Sequence, residues 1–187
     1  MPCIWILDMF NPTDATTIVI PHKKAAAGEK VATTDYFGEI TGDRIKRGDS
    51  ILFFKADGKR RGKLGIAPPY ALPFAGSYDA QNNVLTITYF TIDNNATYLN
   101  QEWNTTNPAF SGDAMNAYND GPLDDGSQMG PFYEIESVSP AAMLKPSEEM
   151  VHNHNVYHFT GNKQQLNAIA QQVLGVSLKE IQKAFSL

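Results

Sequence analysis

The chain lacks several things that would narrow its function at once. It has a single cysteine, Cys3, so no internal disulfide can form. Basic residues are outnumbered, 15 Lys and Arg against 20 Asp and Glu, giving a formal charge of −5. Nucleic-acid binding calls for a basic face and is disfavoured. No apolar run reaches the length of a membrane span. The first residues, Met1-Pro2-Cys3-Ile4-Trp5, show no basic region, signal-length apolar stretch or small-residue cleavage site. No Gly-rich phosphate loop, nucleophile elbow or Cys/His catalytic pair is present. Long helical patterns are absent until the last quarter of the chain.

What is present points to β structure. The 187 residues fit one domain, 1–187, able to bury roughly 70% of its unfolded surface. Fourteen Gly and 11 Pro punctuate the chain, favouring many short strands over a helical bundle. Ile4 to Phe10, Thr16 to Ile20, Ser50 to Lys55, Lys63 to Ala67, Val84 to Ile92 and Tyr98 to Trp103 read as strands. Val84 to Ile92 has apolar groups on both faces and so belongs inside its sheet. Ala56-Asp57-Gly58-Lys59 is a hairpin turn. Asn104 to Met129 reads as a long loop, and loops of that length are often functional. After Gly161-Asn162, Leu166, Ile169, Ala170 and Val173 recur at helical spacing, closed by Gly175. Ser177-Leu178-Lys179-Glu180 is a capping box for a second helix, Leu178 to Phe185. The expectation is a β-sandwich over 1–160 with a helical segment over 161–187.

The chemical side chains concentrate between Gly130 and Phe159. Glu134-x-Glu136 on a strand places two carboxylates on one face, with Phe132 and Val138. His152-x-His154 does the same for two imidazoles, with His158 on that face. Pro146 and its polar neighbours make the turn between them. If the two strands lie side by side, carboxylates and imidazoles share one hollow. The bland alternative is a pair of solvated strand faces. Either Glu needs a cation if it is buried. The cluster Arg60-Arg61-Gly62-Lys63 is a source for one, or else simply a solvated hairpin.

Three other signals are weighed. Trp103, beside the long loop, is the best aromatic for stacking on a sugar ring, with Tyr118 and Tyr133 behind it and Trp5 read as buried. His152 and His154 have a spacing used by metal sites on strands, although spacing is all that supports metal. Asn119 to Gly126 carries oxygen donors, Asp120 among them, that suit Ca²⁺. It does not follow the helix-loop-helix calcium spacing, and an acidic turn-rich loop is the simpler reading.

The motifs also carry a resemblance. Leu144-Lys145-Pro146-Ser147-Glu148, followed by a strand ending Tyr157-His158-Phe159, resembles the last strands of the galactose mutarotase (aldose 1-epimerase) superfamily. Asn119 to Gly126, the Gly-Pro-Phe-Tyr-Glu-Ile-Glu-Ser run and Ser-Pro-Ala-Ala look like an uncharacterised bacterial branch of it. The motifs are sharp only from about Asn119 onward. The resemblance implies an antiparallel supersandwich of which this chain is the C-terminal portion. Homo-oligomerisation or a missing N-terminal half would then cover exposed strand edges. It implies carbohydrate as the partner, with Glu134 in the place of the family's base and Glu136 where its glutamine stands. It also implies an acid histidine, but the comparable place reads Trp5-Ile6-Leu7-Asp8-Met9-Phe10, without one. The leading expectation is therefore a carbohydrate-binding protein in bacterial glycan use, with Glu136, His152, His154, Trp103 and Asp120 lining the site. The alternatives are an aldose epimerase or glycoside-active enzyme with Glu134 as base, and a metal site built on His152 and His154.

Overall fold

The computed structural model describes residues 1–101 and 106–185. Eleven strands are followed by two helices among them. The strands are β1 (Trp5–Phe10), β2 (Thr16–Pro21), β3 (Ala32–Thr33), β4 (Ile45–Arg47), β5 (Ile51–Lys55), β6 (Gly62–Ile66), β7 (Phe74–Asp79), β8 (Val84–Phe90), β9 (Met115–Asn119), β10 (Tyr133–Val138) and β11 (His154–Thr160). The helices are α1 (Lys163–Leu174) and α2 (Leu178–Lys183). They form two antiparallel sheets, ordered β1-β10-β9-β6-β3 and β11-β8-β7-β2-β5-β4. This is the all-β sandwich with two short C-terminal helices that the sequence pattern predicts.

Strand β2 shows how the layers are built. Ile18 and Ile20 point into the core between the sheets, while Val19 points out under the helices. Its neighbours repeat the alternation. Leu52 and Phe54 of β5 face inward. Phe53 of β5, Tyr78 of β7, and Leu85 and Ile87 of β8 face the helices. Two-sided cover explains why these strands read as near-continuous apolar runs. Leu166, Ala170, Leu174, Leu178 and Ile181 supply the helical side of that second core. Each of the leucines and Ile181 contributes about 1.5–3 kcal/mol by leaving water. Gly76 is demanded by the packing, because a Cβ there would collide with the Thr86 carbonyl and crowd Leu174 of α1.

The helix ends follow the sequence. Asn162 caps α1 by accepting from the Gln165 amide, and Gly175 closes it in the left-handed region. Ser177 and Glu180 form the capping box of α2.

Three expectations need correction. The predicted loop Asn104 to Met129 contains β9, the middle strand of its sheet. Tyr98 to Gln101 is not a strand, and the rest of that predicted strand lies outside the described residues. Most important, the Glu-bearing and His-bearing strands do not neighbour one another. β10 pairs with β1 and β9, whereas β11 pairs with β8 in the other sheet. The turn at Pro146 is real, with the Glu148 amide donating to the Lys145 carbonyl. It belongs to a crossing between sheets and not to a hairpin.

Candidate functional site

Alternation along β10 sends Tyr133, Ile135 and Ser137 inward and Glu134 and Glu136 onto the outer face of the five-stranded sheet. The register sets their neighbours. Glu136 lies between Leu7 of β1 and Asn116 of β9. Glu134 lies between Met9 and Tyr118, and Tyr118 is opposite Lys63 of β6. Cross-strand partners sit about 5 Å apart, so these side chains are in contact range.

The carboxylates and their cation are closed to water, while Leu7 and Met9 at the β1 edge of the face are exposed. Glu136 is 0% exposed, Glu134 8% and Lys63 6%. Lys63 Nζ donates to Glu136 Oε2 at 2.9 Å, and Trp5 Nε1 donates to the same oxygen at 2.8 Å. The Lys63 ammonium also lies 4.6 Å from the Trp5 ring centroid. So Lys63 of the basic cluster is the balancing cation, and Trp5, half-buried against the core, borders the carboxylates. Beyond them the Tyr36 hydroxyl bridges Asp113 and Asn116. Gly65 leaves the space for this, since a Cβ there would overlap the Asp113 carboxylate.

Two buried atoms on this face have no hydrogen-bond partner among the described residues: Glu136 Oε1 and Asn116 Nδ2. A buried polar group left unpaired costs about 1–3 kcal/mol, so such groups call for an explanation. Glu134 sits beside them with its pKa pushed up to about 7. Burial is the main cause, followed by the neighbouring Glu136 charge, which Lys63 partly offsets. When Glu134 is protonated it shares its proton with Glu136, whose Oε1 has no other donor among the described residues. Near neutral pH this carboxyl is able both to take and to give a proton.

Tyr118 leads from the carboxylates toward open space. Its hydroxyl donates to Asp120 Oδ1 at 2.8 Å and accepts from Arg61 Nε at 3.2 Å. Burial and the bond to Asp120 push its pKa to about 12, so it acts as a donor and stays protonated. Asp120, 2% exposed, is fixed further by the Gly130 amide. Arg61, Tyr118, Asp120, Leu123, Gln128 and Met129 line a cavity of about 310 Å³. A second cavity of about 620 Å³ adjoins it, sharing Arg61 and Leu123 and bounded by Phe37, Arg60, Asp124 and Asp125.

The histidines lie elsewhere. His152 and His154 do point the same way, but into the sandwich interior. Ser137 Oγ meets His152 Nε2 and His154 Nδ1, each at 2.7 Å. His154 Nε2 bonds Asp8 of β1, and His152 Nδ1 bonds Thr91 at 2.9 Å. The Phe90 ring stacks on His154. Burial, then the neighbouring His154, lowers the His152 pKa. The shared hollow of carboxylates and imidazoles is thus corrected: Ser137 is on the opposite face of β10 from Glu136. Both ring nitrogens of both histidines are engaged, leaving none for a metal. Among the described residues no group of three or more His, Cys, Asp or Glu is placed to hold one.

Of the expected site residues, Glu134, Glu136 and Asp120 come together, His152 and His154 separate from them, and Trp103 lies outside the described residues. Tyr133 faces inward and bonds Ser77, which removes it as a stacking surface. The sequence reading overlooked Asn116, Asp113 and Tyr36. Asn116-x-Tyr118-x-Asp120 is itself a residue-skipping run, and recognising β9 as a strand reveals it. Neither a curated protein nor a solved structure matches the chain. A family model matches residues 1–185, and the chain belongs to that group, the family of unknown function DUF6786.

Proposed function

We propose that the protein binds carbohydrate over the outer face of the five-stranded sheet, with Glu134 contacting the reactive hydroxyl. The observation that carries this reading is Glu134 itself, a buried carboxyl with pKa about 7 beside a second carboxylate and a lysine. Sugar sites need clustered donors and acceptors that fix hydroxyl positions. Glu136, Asn116, Tyr118, Asp120 and Arg61 offer that mix beside an open cavity. Leu123 and Met129 give its wall an apolar side. The resemblance of Glu134 and of the Asn119 to Gly126 loop to the mutarotase superfamily supports the same choice of ligand, although fold likeness alone does not assign chemistry.

Glu134's proton affinity favours a second reading, aldose epimerisation. In it Glu134 takes the proton of the anomeric hydroxyl, an acid protonates the ring oxygen as the C1–O5 bond breaks, and closure occurs on either face. The acid that protonates the ring oxygen would not be His152 or His154, which are on the other side of β10. Lys63 and Tyr118 are the donors on this face.

A panel of neutral and acidic monosaccharides read by thermal shift tests binding. A sugar at 100 times its Kd adds about 2.7 kcal/mol of stability. Glu134→Gln is expected to abolish the shift; an unchanged shift would place the ligand elsewhere. Polarimetry on α-glucose and α-galactose separates the readings, since a rate equal to buffer leaves binding and removes epimerisation.

A further inference from the structure

The carbohydrate reading uses Arg61 as a donor but does not explain how it is held. Its guanidinium carbon lies 3.7 Å from the Phe37 ring centroid, so the planar group is held flat on the ring. Its Nε is tied to the Tyr118 hydroxyl. The Phe37 and Tyr118 rings brace one another edge to face at 5.9 Å. Stacking fixes the plane of the guanidinium, and the Nε bond fixes its rotation within that plane. The two terminal nitrogens remain, and among the described residues they have no hydrogen-bond or ion-pair partner. They form a pre-set fork at the boundary of both cavities.

Three neighbouring cations are spent in ion pairs. Lys63 is paired with Glu136, Arg44 with Asp57 and Lys59 with Asp14. Arg60, which lines the larger cavity beside Arg61, gives one hydrogen bond to the neutral Thr41 hydroxyl and keeps its charge. An arginine fork with fixed plane and free outer edge matches two oxygens of a planar anion. Tyr118 lies directly across from Glu134, so the fork and the acid–base carboxyl flank the same tyrosine. A ligand seated over that tyrosine meets both.

Resting on the carbohydrate reading, we propose that Arg61 is a specificity determinant that makes this an acidic-sugar site, binding the carboxylate of a uronic acid. A carboxylate suits the surroundings better than a phosphate. Asp124 and Asp125 balance Arg60 and Arg61 on the cavity wall, leaving no net positive charge to hold a dianion.

The test is titration calorimetry on the full chain with D-glucuronate and D-galacturonate against D-glucose and D-galactose, with glucose 6-phosphate as a further arm. A uronate is expected to bind about tenfold tighter than its neutral counterpart, the worth of one charge-assisted pair. Arg61→Met is expected to bring the uronate down to the affinity of the neutral sugar. Arg61→Lys keeps charge without the fork and is expected to recover only part of the preference. It also serves if the methionine variant does not fold. Equal binding of uronate and neutral sugar, or a preference that survives Arg61→Met, overturns the subsite and leaves the carbohydrate reading standing. Tighter binding of the phosphate overturns the carboxylate assignment. Absence of binding by every sugar removes both.

Discussion

Strand β10 carries a polar network on each face, and the two differ in whether their hydrogen bonding closes. On the inner face Asp8, His154, Ser137, His152 and Thr91 form an unbroken chain in which each ring nitrogen is used. That chain ties β1 of one sheet to β11 of the other. On the outer face Glu136 and Asn116 each keep a buried atom without a partner among the described residues. Glu134 next to them holds its proton toward neutrality. A closed network holds sheets together, whereas an open one leaves buried polar groups that call for a partner. Arg44 and Asp57 sharpen the distinction. That pair is buried too, but both Asp57 oxygens accept from the guanidinium, at 2.6 and 2.7 Å. Burial works to raise the Asp57 pKa, yet the Arg44 bonds and charge hold it below the usual range. A buried charge by itself therefore marks no site.

The comparison breaks most readily at Lys63. Lys63→Met strips the cation from a carboxylate with no exposure. Losing one partner of a buried pair costs about 3–5 kcal/mol, to be read as a fall in the urea midpoint. A cost below about 1 kcal/mol would mean that water reaches Glu136, and the outer network would lose its claim to be closed off.

Glu134 distinguishes the faces by pH. Its folded pKa is raised above the ordinary 4.5 of a glutamate to about 7. The stability it supports is fully present below 4.5 and is lost as pH rises through about 7. One proton gives a slope of at most about 1.4 kcal/mol per pH unit. Glu134→Gln is expected to flatten that slope in denaturant titrations from pH 4.5 to 8. The His152 shift acts oppositely, adding stability as pH rises toward 6.5, so the wild-type-minus-variant difference is the quantity to follow. A difference that is constant with pH would show Glu134 to be an ordinary ionised carboxylate.

Ser137 gives the smallest effect and the cleanest contrast. Ser137→Ala removes the hydroxyl that both imidazoles use, costing about 1–3 kcal/mol in denaturant unfolding. Sugar affinity is expected to stay unchanged. A lost thermal shift in a folded Ser137→Ala protein would merge the two networks into one site.

Much of the fold was legible because burial on two sides leaves a mark on composition. β2, β5 and β8 are apolar on both faces, and their runs stood out. The helix caps were legible because a cap is local: Ser177 and Glu180 need only each other. β9 was not, because Met115-Asn116-Ala117-Tyr118-Asn119 buries small and polar side chains between Gly- and Asp-rich loops. Its strand character comes from pairing with β6 and β10, far away in sequence. Of the site, Glu134 and Glu136 were recognisable as a pair. Their companions were not, since Lys63, Tyr118 and Asn116 join them only through register.

The sequence by itself determined that the chain is a sandwich of short strands with two capped helices. It also determined that each residue-skipping pair shares a face, because side-chain alternation is a property of any strand. Only the tertiary structure decided which face. β10 and β11 entered different sheets, so the glutamates turned outward to Lys63 and Tyr118 while the histidines turned inward to Ser137. A period of two fixes which residues go together, and strand pairing at long range fixes what they meet.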